Sequence, residues 1–176
     1  MTAVPVLRTT RLELRGFHES DLDALAAMYA DAETMRFIGT GAVLDRAETW
    51  RHIALHLGHW HLRGYGMWAV VERATAQLVG RVGLWHPEGW PALEAGWLVA
   101  RDRWGEGFAT EAARAVLTHA FDVFAIPHIV SFIHPDNTAS IAVAIKIGEA
   151  LEGTVMLNGT EHLVFGCDRP ESGGVG

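Results

Sequence analysis

Between Trp104 and Phe121 the chain reads "WGEGFATEAARAVLTHAF", two glycines around one residue and then a run with helical periodicity. Ala109, Ala112, Ala113, Val116, Leu117 and Ala120 keep to one face of a helix that starts at or near Gly107. The preceding apolar run, "ALEAGWLVA", has the length of a strand. A strand, a Gly-x-Gly turn and the first turn of a helix together present unpaired main-chain N–H groups at the positive end of a helix dipole, with no side chain to bar close approach. Such a place binds phosphate. The same spacing also serves a tight turn that needs positive φ, and the glycines alone leave both readings open. Two nucleotide motifs are incomplete: no Gly-Lys-Ser/Thr is present, and Thr110 stands where a dinucleotide fingerprint would have its third glycine.

The elements around this loop follow from period and punctuation. Leu12 and Leu14 alternate with polar neighbours as in a half-buried strand. Ser20, with Asp23 three residues on, offers a cap for a helix running to about Asp31, and Asp45 offers one for a second helix that Gly64 stops. "MWAVVER", "QLVGRVGLWH" and "ALEAGWLVA" read as an antiparallel meander. After the glycine-led helix come a strand, "HIVSFIHP", a helix capped by Asn137 and stopped by Gly148, and a closing hairpin through Asn158 and Gly159. Strands and helices are mixed rather than strictly alternating, which predicts an α+β fold with a mixed sheet.

Composition bounds the partners. The chain has 176 residues, 49% of them hydrophobic, enough to bury one core; a single domain over residues 1–168 is expected, with a loose tail at 169–176. A formal charge of −7 repels nucleic acid and anionic membrane surfaces, so neither is an expected partner. Cys167 is the sole cysteine, which excludes an intramolecular disulfide, and its apolar surroundings suit a buried small side chain. The first residues lack the continuous apolar stretch of a leader or membrane span, and a cytoplasmic protein is expected.

The order "EAGWLVARDRWGEGFATEA" then "HPDNTASIAVAIKIG" resembles the acyl-coenzyme-A-binding core of the GNAT N-acetyltransferases, and within them the Rim-type branch of ribosomal-protein N-terminal acetyltransferases. The likeness spans nearly the whole chain. It implies a mostly antiparallel sheet of about seven strands flanked by about four helices and splayed between the fourth and fifth strands. The family's pyrophosphate loop, Gln/Arg-x-x-Gly-x-Gly/Ala, falls on Trp104 to Ala109, so that Trp104, Gly105, Glu106, Gly107, Phe108, Ala109 and Thr110 become acetyl-CoA contacts held mainly through main-chain N–H groups. The pantetheine arm would pair with the fourth strand at Trp97, Leu98 and Val99, and Asn137 would contact it as well as capping its helix. Lys146 is either an adenosine-phosphate contact or a solvated lysine. One departure concerns Glu149, which occupies a position usually aromatic in this family.

Transfer of acetyl to an amine requires loss of a proton, since an alkylammonium has no free pair; a lysine-type amine titrates near ~10.4 and a protein N-terminus near ~8. Glu94, the sole acid of its strand, matches a position where family members carry a catalytic glutamate, and otherwise is an outward-facing strand residue. Ser140 aligns with the serine proposed to protonate the thiolate, and otherwise is a first-turn serine of its helix. A strand N–H would polarise the acetyl carbonyl. Candidate acceptor walls are Trp50, His56, His59 and Trp60 on the second helix and Trp85, His86, Glu88 and Trp90 in "LWHPEGWP", where aromatics and an acid suit a cationic amine. His52, His56 and His59 share one helical face, which serves a metal or simply solvent; no metal is expected, because the chemistry uses none. The resulting expectation is an N-acetyltransferase taking acetyl from acetyl-CoA to a primary amine of a protein N-terminus or small molecule. A non-catalytic acyl-CoA sensor on the same fold and an ATP-binding protein using the same loop are the alternatives. Pairing of two copies through exposed tryptophans is a further expectation.

Overall fold

The computed structural model describes residues 3–170, so that of the expected tail only Arg169 and Pro170 fall within it. Arg169 is tied down, its main-chain N–H donating to Pro127 O at 2.8 Å. In chain order the elements are β1 (Leu7–Arg8), β2 (Leu12–Arg15), α1 (Leu22–Ala30), α2 (Ala32–Met35), α3 (Arg46–Arg63), β3 (Met67–Glu72), β4 (Leu78–Trp85), β5 (Glu94–Val99), α4 (Phe108–Asp122), β6 (His128–Ile133), α5 (Thr138–Ile147), β7 (Ala150–Leu157) and β8 (Thr160–Asp168). The sheet order is β1-β2-β3-β4-β5-β6-β8-β7, and every neighbouring pair is antiparallel except β5 and β6. The expected α+β class and mixed sheet are found, with eight strands and five helices among the described residues. The two extra elements, β1 and α2, are two and four residues long, too short for any period to register. No helix of the described residues is long and apolar enough to cross a membrane.

Local rules account for most boundaries. Asp45 accepts from Glu48 N at 2.8 Å while Glu48 accepts from Asp45 N at 2.8 Å, a reciprocal cap, and Gly64 ends α3 at φ +77°. Asn137 caps α5 through Ser140 N at 3.1 Å. The entry to α1 differs from expectation. Ser20 lies inside a single 3-10 turn, Glu19–Asp21, and the reaching carboxylate is Asp21, which accepts from His18 N at 2.8 Å and from both terminal nitrogens of Arg15 at 2.7 Å. The bidentate, charge-assisted pair fixes this turn, and α1 itself starts without a side-chain cap. Asp23 instead points outward to Arg46.

The sheet carries a core on each face. On one, α4 buries Ala112, Ala113, Val116, Leu117, Ala120 and Phe121 against Trp68, Val70, Val82 and Ile129. On the other, α1 and α3 cover Met67, Ala69 and Leu98 with Leu25, Tyr29 and Ile53. Each large side chain so buried contributes about 1.5–3 kcal/mol.

Glu149, the departure noted in the sequence, is buried at 4% exposure directly after α5. Its Oε1 lies 2.9 Å from Ser131 Oγ, Oε2 has no partner, and Ser131 Oγ is also 2.8 Å from Ala95 O on β5. One hydroxyl has one proton. When Ser131 donates to the carbonyl, its oxygen must accept from Glu149, which calls for a protonated carboxyl. Burial, above all, pushes that carboxyl up to about 7, opposed by the Ser131 bond and reinforced by Glu152. An acid whose folded value is raised contributes stability fully below its unfolded value of 4.5 and loses it as pH rises through about 7. Glu149→Gln should therefore stabilise the protein at pH 8 by up to about 3 kcal/mol and give no gain at pH 4. Denaturant titrations at the two pH values measure the difference, and equal effects at both would refute the protonated state.

Candidate active site

β5 ends at Val99, one 3-10 turn follows, and α4 begins at Phe108. Gly105 and Gly107 take φ +81° and +82°, which only glycine adopts without strain, so the structural need for these glycines is real. The space beside them is also open: a Cβ at Gly105 would meet nothing within 4 Å, and one at Gly107 only the Arg11 guanidinium at 3.6 Å. The first helical bond runs from Glu111 N to Gly107 O at 3.0 Å, leaving the main-chain N–H groups of Phe108, Ala109 and Thr110 without helical acceptors at the positive end of α4. The two readings of the glycine pair coexist.

The loop is clamped by side chains that the sequence did not single out. Arg11 donates to Glu106 O at 2.9 Å and to Glu111 Oε2 at 2.7 Å, while Thr9 Oγ1 and Arg11 N reach Glu111 Oε1 at 2.6 and 2.9 Å. Arg103 pairs with Glu72 at 2.6 Å and Glu106 at 3.0 Å. Both guanidinium carbons lie within 5 Å of the Phe108 ring centroid, at 4.6 and 4.9 Å. Arg11 and Glu111 are 100 residues apart in sequence and Arg103 and Glu72 are 31 apart, so no local pattern marks these two pairs. Trp104 keeps its ring half exposed and donates Nε1–H to Val99 O at 2.8 Å, which leaves the indole no donor for a phosphate.

A cleft of about 490 Å³ opens before this loop, between the end of β5 and α5. Trp97, Leu98, Val99, Trp104, Gly105, Gly107, Phe108, Ala109, Thr110, Asn137 and Lys146 all line it, and Glu106 is absent from its wall because its side chain is taken by Arg103. The cleft exists because β5 and β6 pair at one register position alone, Glu94 with Val130, so the expected splay falls between these strands. Trp97 bridges the opening, its Nε1–H donating to Ser140 Oγ at 3.2 Å.

A second cavity, of about 240 Å³, shares Phe37, Ile38, Trp97, Asn137 and Ser140 with the cleft, so the two adjoin at the Trp97–Ser140 contact. Glu94 lies in its wall. Trp90 Nε1 donates to Glu94 Oε2 at 2.9 Å, and burial pushes the carboxyl up to about 7 against the opposing pull of Trp90 and Arg81. Facing it from α3, His52 and His56 are held below the usual histidine value, by burial first and by Arg81 second. His56 is buried between Phe17, stacked at 5.5 Å, and Trp85, edge-on at 5.5 Å.

Of the expected acceptor walls, Trp85, Trp90 and His56 line this cavity. Trp50, Trp60, His86 and Glu88 do not. Trp60 is a core residue at 3% exposure, bonded to Met67 O at 2.9 Å and edge-on to Trp68 at 4.6 Å. Trp50 lies on the surface against Glu19, and Glu88 points into solvent toward Arg63. His59 is structural: Nδ1 meets Tyr65 O at 2.8 Å and Nε2 accepts from His86 N at 3.2 Å. Among the described residues no cluster of His, Cys, Asp or Glu has the makings of a metal site. Arg81, Phe132 and His134 in the cavity wall were missed, although Arg81 had a signal, being the one charge within the apolar strand "LVGRVGLW". Cys167, half-buried, has its thiol pushed up to about 12, chiefly by burial, and offers no nucleophile.

A splayed mixed sheet, a glycine loop on a helix N-terminus and an acid at the root of the splay define a class, and comparison with known proteins agrees. The GNAT acetyltransferase domain profile matches residues 11–149. YkkB of Bacillus subtilis is 31% identical over 163 residues, covering 88% of this chain and 91% of YkkB. The crystal structure of an acetyltransferase from Agrobacterium tumefaciens C58 superposes with a TM-score of 0.84 at 33% identity, over 94% of this chain and 95% of that one. RimL, a ribosomal L7/L12 α-N-protein acetyltransferase solved with coenzyme A, shares the fold at a TM-score of 0.78 and 24% identity, over 93% and 98% of the two chains. The chain belongs to the GNAT acetyltransferase family and is an acetyl-CoA-dependent N-acetyltransferase.

Valine at position 107 would carry a β-branched side chain at φ +82° in the mouth of the cleft. Gly107→Val should weaken acetyl-CoA binding at least about tenfold while costing about 1–3 kcal/mol in stability. Calorimetric titration and thermal unfolding measure the two, and undiminished affinity in a folded variant would take the loop out of the site.

Proposed function

We propose that residues 1–168 form one catalytic domain of the Rim-type branch that moves acetyl directly from acetyl-CoA to a primary amine, either a protein N-terminus or a small molecule, without a covalent enzyme intermediate. The observation that carries this reading is Glu94, its carboxyl at about 7 and bonded to Trp90, in a cavity that adjoins the cleft at Ser140. The pyrophosphate would rest on the N–H groups of Phe108, Ala109 and Thr110, with Lys146 near the adenosine phosphate. The pantetheine arm would pair with the free edge of β5 at Trp97 to Val99 and contact Asn137. The acetyl thioester then lies toward the Trp97–Ser140 bridge.

In this reading Glu94, or a water it holds, takes a proton from the ammonium, and the freed nitrogen pair attacks the thioester carbon. Negative charge gathers on the carbonyl oxygen, where a β5 N–H stabilises it. The carbon–sulfur bond then breaks, and the extra proton still on the acylated nitrogen passes to the departing thiolate, directly or through water, to give a neutral amide and a free thiol. Ser140 suits the departing sulfur because its oxygen already accepts the Trp97 indole proton, so its own O–H is free to donate. A base poised near neutral pH is efficient for this step, as its value matches working conditions. The relatedness to RimL in fold and the aligned motifs support the branch.

Two variants test the assignments. Glu94→Gln should lower kcat/KM by about 10²–10³ near pH 7, with partial recovery as pH rises and the amine deprotonates unaided. Recovery should arrive about two units earlier for an N-terminal amine than for a lysine-like one. A variant as fast as wild type at every pH would return Glu94 to strand surface. Ser140→Ala should reduce kcat about tenfold with acetyl-CoA affinity little changed; steady-state rates of thiol release check this, and wild-type turnover would leave Ser140 as a helix-start residue.

A further inference from the structure

Acetyl transfer to an amine does not use two groups in the wall of the Glu94 cavity. The first is Arg81 on β4. Its Nε donates to Tyr29 Oη at 2.6 Å and its Nη1 lies 3.7 Å from Met67 Sδ, yet no carboxylate stands within ion-pairing distance among the described residues. Arg11, Arg15 and Arg103, other arginines that organise this fold, each have an acid. A guanidinium carries five donors, and a phenol and a thioether leave several of Arg81's unmet, those of Nη2 first. The second group is His56, 4% exposed, whose Nδ1 and Nε2 both lack any partner. Fixed between Phe17 and Trp85, the ring cannot turn away to find one. Buried polar atoms are nearly always paired, and those left over at a cavity wall mark what the cavity is built to receive.

We infer that the acceptor amine also carries a carboxylate, received by Arg81 with His56 donating a second hydrogen bond, so that the substrate is of the amino-acid class with its amino group at Glu94. This rests on the acetyl-transfer reading and narrows it. Charge decides against the alternatives. The cavity sets one guanidinium, Arg81, beside His52 and His56, which burial keeps in the neutral form, opposite one acid. A polyamine or aminoglycoside would bring a second ammonium against Arg81, whereas a zwitterion meets both charges with their opposites. A plain alkylamine would leave Arg81 and His56 desolvated and unpaired. The volume agrees: about 240 Å³ lies below the about 300–1,000 Å³ of sites for drug-sized ligands and suits an acceptor of amino-acid size.

The carboxylate has two possible sources, the α-carboxylate of a free amino acid and the side chain of an acidic N-terminal residue. The test pairs each acid with its amide: phenylalanine against phenylalaninamide, and Asp-Ala-amide against Asn-Ala-amide. Binding of the N-acetylated form of each to the CoA-loaded protein is followed by calorimetry, since those products have no amine proton to confound the comparison, and thiol release is followed with the free amines. The acid of at least one pair should bind about tenfold or more tighter than its amide, and Arg81→Met should bring that ratio to about one. The pair that discriminates names the source. Amides that bind as tightly as acids in both pairs to the wild-type protein would overturn the inference without recourse to any variant, as would an unchanged ratio in folded Arg81→Met. If acids bind selectively yet no amine is acetylated, the transfer reading fails and the carboxylate site stands.

Discussion

The meeting of β5 and β6 at one position is the constraint from which the site follows. Two parallel strands that paired along their length would close the sheet and bury both edges. Here Glu94 opposite Val130, with Val130 N on Leu93 O at 3.1 Å and Ser131 Oγ on Ala95 O at 2.8 Å, pins the strands at one end and releases them at the other. The released edge of β5 offers main-chain partners to an extended chain, as edge strands do wherever they are left uncovered. The same divergence makes room for two openings on either side of the Trp97–Ser140 bridge. In the proposed reading a long donor molecule would lie with its anionic end at α4 and its reactive end toward Glu94.

Burial does the electrostatic tuning, and it acts in opposite directions on acids and bases. Glu94 and Glu149, at the root of the splay, are both pushed up to about 7, chiefly by burial, with Glu149 adding to the rise at Glu94 and Glu152 to the rise at Glu149. His52 and His56 are pushed down in the facing wall, with Arg81 adding to the effect. A shift of one unit corresponds to about 1.36 kcal/mol, so a carboxyl displaced from 4.5 to about 7 represents roughly 3 kcal/mol of folding free energy put into an acid that exchanges protons at neutral pH. In the proposed reading the perturbed acid at Glu94 is the one that moves the proton.

What could be read in the sequence was local. Asp45, Asn137, Gly64, Gly148 and the Asn158–Gly159 turn each state their structure within four residues, and all lie where expected. The glycine pair was legible for the same reason, since φ near +80° at a helix start is a property of one turn. What failed or went unseen was tertiary. Trp60 sits on the same helix as His56, and periodicity could not tell which of its faces meets the core and which the cavity; contact with Trp68 and Met67 decided it. Ser20 caps nothing because it lies inside the 3-10 turn before α1, where Arg15, on the preceding strand, and His18 N hold the Asp21 carboxylate, and α1 starts without a side-chain cap. Arg11 and Glu111 were silent because their meaning lies in each other.

That last pair bears on how the donor is held. With Trp104 in place of a long polar side chain, and its indole proton committed to Val99 O, the loop has main-chain N–H groups and little else to offer a pyrophosphate. Such groups discriminate by direction rather than charge, and direction is worth nothing unless the turn is rigid. Glycines at φ +81° and +82° are the least rigid residues available. The two arginines on Phe108, with Glu72, Glu106 and Glu111 as their counter-charges, supply from outside the stiffness that the glycines lack. The clamp is therefore the complement of the loop: the glycines cannot brace the turn, and the bracing comes from Arg103 and Glu106 beside them together with Arg11 before β2, Glu72 on β3 and Glu111 on α4.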